Sequence, residues 1–306
     1  MTKVFIDGSS GTTGLKIYDR LSERKEIDII SIPEELRKDA DAKKEVYKEA
    51  DIVFLCLPDA AAKEAAGLLE ETDTAVIDTS TAHRTDPNWT YGFPEIIGTD
   101  KISASKRVAN PGCHASGFVA LTAPLVKAGF IKDDISLTCF SITGYSGGGK
   151  KMIAEYESPE RSKLLKAPRQ YGITQQHKHL KEMMYVPGLK NAPVFCPIVA
   201  DFYSGMEVTV SLFKKDMKGT IRDIEEIYGS FYKGKIVHFD ENVDEEGFLS
   251  AAAFSGRDDM QISVNGNDDR VILTARFDNL GKGASGAAIQ NMNILLGTDE
   301  TEELVL

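Results

Sequence analysis

Among the side chains able to do covalent chemistry, Cys113 has the most informative surroundings. It lies in Val108-Ala109-Asn110-Pro111-Gly112-Cys113-His114-Ala115-Ser116-Gly117. Pro111 and Gly112 predict a turn, because proline fixes φ and glycine accepts conformations other residues avoid. The apolar run from Phe118 to Val126 predicts a helix, with Pro124 expected to kink it or force a local adjustment. Cys113 therefore stands where a turn enters a helix, and the free backbone N–H groups and positive dipole end found there favour an anion. A thiol with an ordinary pKa near ~8.5 is only a few per cent thiolate at pH 7, and such a position lowers that pKa. The setting fits an activated nucleophile. It also fits a small buried apolar side chain, and the local sequence leaves both open.

The groups that could move a proton are the histidines of the stretch Tyr171 to Met183, read as a loop entering a helix. His177 and His179 are two residues apart and would not share a helix face, so they make a poor metal pair, and no metal is expected. Either could act as general acid and base, with the other or Glu182 orienting it; each alone could also be a surface histidine. His83 and His238 have no distinctive context, and His114 only its place beside the cysteine. Arg84 follows the strand Thr74–Ser80, where it could hold a substrate anion or be a solvated loop arginine. Ser146 and Lys150, in the flexible loop from Gly144, join the substrate-binding or orienting candidates.

These groups need elements to position them. Val4–Asp7 reads as a strand running into Gly8-Ser9-Ser10-Gly11-Thr12-Thr13-Gly14 and then an amphipathic helix, which is the dinucleotide-binding pattern. Gly8 permits the tight turn, Gly11 lets backbone approach a pyrophosphate, and Gly14 lets helix pack on sheet. Ser10, Thr12 and Thr13 add hydroxyl donors. The spacing GxxGxxG is looser than GxGxxG. The second strand, Ile27–Ile32, carries Ser31 near its end where an NAD site expects an acid, and Arg37 follows; this tilts the expectation to NADP. Strands at 50–58 and 74–80 alternate with helices, giving an α/β, Rossmann-like doubly wound parallel sheet. Beyond Cys113 the strand-rich stretches and the helix from Thr220, its expected N-cap, predict a second α+β domain with a mainly antiparallel sheet. Residues 151–168 read as polar and irregular, and the acidic tail 299–303 as frayed.

The chain has 306 residues and a net charge of −11, with no basic cluster, which argues against nucleic acid or an anionic membrane as partner. The four cysteines form no CxxC pair, and Cys56, Cys139 and Cys196 read as structural. The start lacks signal-peptide character and no apolar run reaches about 20 residues, so a reducing, cytoplasmic setting is expected.

Four separated stretches together carry a family resemblance: Gly8 to Gly14, Tyr91-Gly92-Phe93-Pro94-Glu95, Asn110-Pro111-Gly112-Cys113, and Asp278 to Ala287. The chain resembles the N-acetyl-gamma-glutamyl-phosphate reductase family, the arginine-pathway branch of the aspartate-semialdehyde-dehydrogenase-like group, and its length and His114 match the shorter subfamily. Tyr203-Ser204-Gly205-Met206 departs from the longer subfamily's arginine-glycine-methionine motif. The resemblance implies NADPH-dependent reduction of a small acyl phosphate to an aldehyde. Cys113 would expel phosphate to form a thioester, which accepts hydride and collapses. It further implies that His177 manages protons among Tyr171, His179 and Glu182, and that Asn279 and Gly283 lie beside the nicotinamide. An NADP-binding domain at 1–112, rejoined by 283–306, a substrate-binding and oligomerisation domain at 113–282, and a homodimer or homotetramer are expected. A related aspartyl-phosphate-type reductase and a non-catalytic NADP-binding regulator are the alternatives.

Overall fold

Short apolar strands pair in parallel when each crossover returns the chain to the same end of the sheet. In the computed structural model, which describes residues 1–306, six segments do so: β1 (Thr2–Asp7), β2 (Ile27–Ile30), β3 (Ile52–Leu55), β4 (Ala75–Asp78), β5 (Thr90–Tyr91) and β6 (Arg107–Ala109). Their order is β2-β1-β3-β4-β6-β5, parallel throughout. β3 is buried at every position, as a strand covered on both faces must be. β2 stops at Ile30, short of the expected Ile32; Pro33 has no N–H for a ladder, and Glu34–Leu36 then turn as a 3-10 helix.

Two compact units divide the chain, Met1–Pro111 with Ala284–Leu304, and Gly112–Gly283 with Val305–Leu306. In the first unit, one face of the sheet packs Val4, Ile6, Phe54 and Ile77 with Ala288 and Met292 of the helix Gly286–Leu296. The other face packs Phe5, Val53 and Leu55 with Tyr47 and Leu69. The acidic tail is not frayed. Asn293 Nδ2 donates to the Glu302 carbonyl at 2.8 Å, Arg24 pairs with Glu302 at 3.2 Å, and Arg20 donates to the Glu303 carbonyl at 2.9 Å.

The second unit holds β7 (Thr138–Gly144), β8 (Arg169–Gln170), β9 (Val194–Ala200), β10 (Met206–Phe213), β11 (Val237–Phe239), β12 (Met260–Asn267) and β13 (Arg270–Phe277). Their order is β11-β12-β13-β10-β7-β9-β8, antiparallel except for β11/β12 and β7/β9. The helix Cys113–Lys127 packs on β10 and β13, and Gly117 is what lets it come close: a Cβ there would lie 2.5 Å from Val208 Cγ2. Pro124 does not break this helix. Proline lacks the N–H that would bond the Ala120 carbonyl, and Tyr232 Oη donates to that carbonyl instead at 2.7 Å, while Tyr228 Oη donates to the neighbouring Leu121 carbonyl. Both tyrosines come from the helix Ile221–Phe231 and its C-cap; Thr220 and Asp223 close the expected cap as a capping box.

Part of the stretch expected to be irregular is a helix, Gly149–Glu157. Its polar composition hides a short apolar stripe, Met152 and Tyr156, which packs with Tyr145, Leu165 and Val199. No helix is long and apolar enough to cross a membrane.

Candidate active site

The turn before Cys113 is fixed from both sides. Asn110 receives the Asn291 amide on its side-chain oxygen at 3.1 Å and donates to the Ala284 carbonyl at 3.0 Å. Its own carbonyl accepts from Arg84 Nε at 2.8 Å. Two residues on, the Gly112 N–H donates to Glu182 Oε1 at 2.8 Å, a buried charge-assisted bond. Cys113 is then the first residue of its helix, with Gly112 as an N-cap that has no side-chain bond. The first-turn N–H groups therefore point out of the helix end beside the thiol. Gly283 backs the cysteine closely, since a Cβ there would lie 3.0 Å from Cys113 Cβ.

Around the cysteine, the second unit assembles Tyr171, His177, His179 and Phe195 about the ring of His114. Ring centroids lie 6.0 Å from His114 to Tyr171 and to His177, 5.7 Å to His179 and 5.3 Å to Phe195. The two candidate histidines are 4.8 Å apart. Helical spacing does not separate them, because both precede the helix Leu180–Tyr185, with His179 as its N-cap. The His179 backbone N–H donates to His177 Nδ1 at 3.3 Å, so neutral His177 carries its hydrogen on Nε2. Burial and the adjacent Lys178 hold the His177 pKa below the ordinary histidine value. Burial and the neighbouring Cys113 push the Tyr171 phenol up, which keeps it protonated. His114, buried, contacts Ser141 Oγ through Nδ1 and Tyr171 Oη through Nε2, both at 2.6 Å, and burial pushes its pKa down to about 3.

In the first unit, the glycine turn fits a dinucleotide. Gly8 has φ +92°, and a Cβ on it would lie 2.3 Å from the Cys56 carbonyl oxygen; a Cβ on Gly14 would lie 2.4 Å from the Gly8 oxygen. Gly11 is the N-cap of the helix Thr12–Leu21 without a side-chain bond, so the N–H groups around Thr12 and Thr13 are open to a phosphate. A cavity of about 240 Å³ is lined by Gly8, Ser10, Ile30, Ser31 and Arg37, bringing the turn and the second-strand residues together. Arg37 also pairs with Glu34 at 2.8 Å on the surface.

Arg84 is buried with Nε on the Asn110 carbonyl and Nη2 on the Thr79 carbonyl at 3.0 Å, so it braces backbone. Asn279 donates to Ser146 Oγ at 3.0 Å and accepts from the Gly205 N–H at 2.9 Å; both side chains serve this buried link. Lys150 is exposed in the first turn of its helix. Burial pushes the Cys56 thiol up to about 12 and the Cys139 thiol higher still, as expected of core thiols. Cys196 instead lies half-exposed on the outward side of β9. Sequence reasoning missed Asn291, His114 and Ser141 as partners. One signal was available: Ser141 puts a hydroxyl at an inward position of an alternating strand.

Family models for the semialdehyde dehydrogenase NAD-binding domain and dimerisation domain match residues 32–104 and 113–279. Aspartate semialdehyde dehydrogenase II of Vibrio cholerae has the same fold at a TM-score of 0.72 and 15% identity, covering 97% of this chain and 98% of that one. The Candida albicans enzyme with NADP gives 0.70 at 16%, with the same coverage. Fold, nucleotide turn and cysteine-bearing helix thus define a protein of the semialdehyde dehydrogenase class with an NAD(P)-binding domain. Within that class, N-acetyl-gamma-glutamyl-phosphate reductase 2 of Nostoc sp. is 41% identical over 97% of this chain and 98% of its own. The reductase of Brucella anthropi is 42% identical over 96% and 98%. The chain belongs to the N-acetyl-gamma-glutamyl-phosphate reductase family.

Proposed function

We propose that this chain reduces N-acetyl-gamma-glutamyl phosphate to N-acetylglutamate semialdehyde with NADPH, releasing phosphate, as a step of arginine biosynthesis. The observation that carries this reading is Cys113 opening an uncapped helix within the His177–Tyr171 cluster, in a chain 41–42% identical to the family's reductases over nearly its whole length. Cys113 attacks the acyl carbon, the C–O bond to phosphate breaks, and a thioester remains on sulfur. The first-turn N–H groups stabilise the oxygen of that carbon as charge develops there. NADPH, when bound, would supply the hydride that the thioester carbon accepts. His177, neutral with its hydrogen on Nε2, donates a hydrogen bond to the resulting alkoxide, and that oxygen re-forms the C=O bond as the C–S bond breaks, giving the aldehyde and restoring the thiolate. Glu182 holds the turn through Gly112 so that the thiol keeps its place.

Gly8, Ser10, Gly11, Thr12, Thr13 and Gly14 bind the pyrophosphate side of the cofactor in this reading. Ser31 and Arg37 take the 2′-phosphate, supported by their place on the cavity shared with the turn. The first unit then binds nucleotide and the second holds substrate and pairs with a second copy. The dimer reading is supported by Phe140, Val194, Phe213 and Ile272, apolar and exposed on the outward side of the seven-stranded sheet within the matched dimerisation domain.

The deciding assay is phosphate-dependent reduction of NADP by N-acetylglutamate semialdehyde. Aspartate semialdehyde should not replace it, and enzyme quenched with acyl phosphate without reductant should carry the acyl mass on Cys113. Cofactor binding without turnover of either aldehyde would instead make the chain a regulator. Ser31→Asp should shift preference toward NADH by roughly tenfold in the ratio of kcat/KM values.

A further inference from the structure

The buried pair His114 and Ser141 has no task in the reaction as proposed, yet it lies in contact with Tyr171, beside the nucleophile. Taking the reductase reading as its basis, we propose that Ser141 locks His114 in the tautomer with hydrogen on Nε2. His114 then turns the Tyr171 hydroxyl so that its hydrogen is free for the oxygen of the acyl group on Cys113.

The direction of two hydrogen bonds decides this. A neutral imidazole has one donor and one acceptor, and the His114 ring has one partner at each nitrogen, Ser141 Oγ and Tyr171 Oη. The ring is neutral across the physiological range because burial disfavours its charged form. The two bonds must therefore run the same way along the chain, from Ser141 to Tyr171 or from Tyr171 to Ser141.

Ser141 is fully buried on the inward side of β7, and His114 Nδ1 is its hydrogen-bond partner. Were Nδ1 the donor, the serine hydrogen would be shut in without an acceptor, costing about 1–3 kcal/mol. With serine as donor, the Ser141 hydrogen and both nitrogens of the His114 ring are satisfied. His114 Nε2–H then donates to Tyr171 Oη, whose own hydrogen is left pointing away from the ring. Tyr171 is only partly buried, and its hydroxyl lies 2.6 Å from the ring of His114, the residue that follows Cys113. Its phenol stays protonated, which makes it a donor and not a base. No bond is made or broken by this group. It adds a hydrogen bond to the acyl oxygen when that oxygen gains charge, strengthened by the aligned donors behind it. Tyr171 is thus a catalytic donor, and His114 and Ser141 are positioning residues acting through it.

The test reads the tautomer directly. Enzyme labelled with 15N-histidine is examined by long-range 1H–15N correlation near neutral pH, and the His114 signals are assigned by their loss in His114→Gln. The expected pattern is Nε2–H, becoming a mixture in Ser141→Ala and returning in Ser141→Thr. An Nδ1–H pattern in the unaltered enzyme overturns the lock. In parallel, Tyr171→Phe keeps the ring and should lower kcat about 10²-fold while leaving the NADPH dissociation constant within about twofold. Ser141→Ala should lower kcat roughly fivefold, recovered by Ser141→Thr. Undiminished kcat in Tyr171→Phe overturns the donor role. Failure of the reductase reading shows separately, as absence of turnover by the unaltered enzyme, and leaves the spectrum to uphold or overturn the lock.

Discussion

The helices Thr12–Leu21 and Cys113–Lys127, like Gly149–Glu157 and the short Thr99–Ser103, begin at a glycine that offers no side-chain cap, whereas Ala40–Glu49 and Ile221–Phe231 are capped by Asp39 and Thr220. An uncapped start leaves N–H groups to be satisfied from outside. The starts at Thr12 and Cys113 are kept in place by opposite means. Around Gly8 and Gly14 the geometry depends on missing side chains, because backbone oxygens occupy the space a Cβ would need. Around Cys113 it depends on a side chain, Glu182, which accepts from the Gly112 N–H. A steric device tolerates nothing larger and fails abruptly. A hydrogen-bonded one can loosen by degrees, and its loss shows in rate before it shows in folding.

The comparison can be broken most forcefully at the sulfur. Cys113→Ala should abolish turnover, by about 10⁴-fold or more, and leave NADPH affinity near normal by fluorescence titration; retained activity would remove the covalent step. Next in size, Gly8→Ala should cost on the order of several kcal/mol, since positive φ and the Cys56 oxygen both oppose a Cβ. It should lower the melting temperature and remove the stabilisation given by NADPH. A normal melting curve would mean the turn is not sterically held. Glu182→Gln retains an acceptor for Gly112 but not its charge, so kcat should fall roughly tenfold with the melting temperature nearly unchanged. An equal fall in both would make the two starts alike.

The smallest effect near neutrality belongs to His114. Its folded pKa, about 3, lies below the ordinary histidine value of 6.5. Below about pH 6.5 the unfolded chain takes up a proton that the folded chain refuses, so stability falls as the pH drops toward 3. The slope contribution approaches about 1.4 kcal/mol per pH unit. Denaturant unfolding of His114→Gln should lack this contribution between pH 6 and 4, and identical slopes for the two proteins would refute it.

What was readable in the sequence follows from the same contrast. The steric device is local: Gly8, Gly11 and Gly14 carry their meaning in their spacing, and Pro111-Gly112 announces a turn before an apolar run. The parallel sheet was readable because buried strands such as Ile52–Leu55 are continuously apolar. The hydrogen-bonded device is not local. Glu182 is 70 residues from Gly112, Asn291 is 181 from Asn110, and Ser141 is 27 from His114. No periodicity links such pairs. The helix-spacing argument also failed for His177 and His179, because it assumed a helix that begins only after them. Arg84, at a strand end, could be read as an anion ligand or as a solvated loop arginine; it is buried, with its guanidinium on the Asn110 and Thr79 carbonyls. The acidic tail looked loose because its charges have no partner nearby in sequence; Arg20 and Arg24, far upstream, meet it.

The first unit is closed by a segment some 170 residues downstream of its main part, Ala284–Leu304 after Pro111. During synthesis at the ribosome, one face of the parallel sheet must wait, with Val4, Ile6, Phe54 and Ile77 lacking the cover of Ala288 and Met292 until the helix Gly286–Leu296 emerges. The intervening unit draws only Val305 and Leu306 from the far end of the chain, and all seven strands of its sheet lie within 138–277, so that sheet can be completed first. Nascent chains should therefore pass through a stage in which the later-made unit is native while the earlier-made one still exposes apolar surface. That interval is when a chaperone that grips such surface has the most to hold.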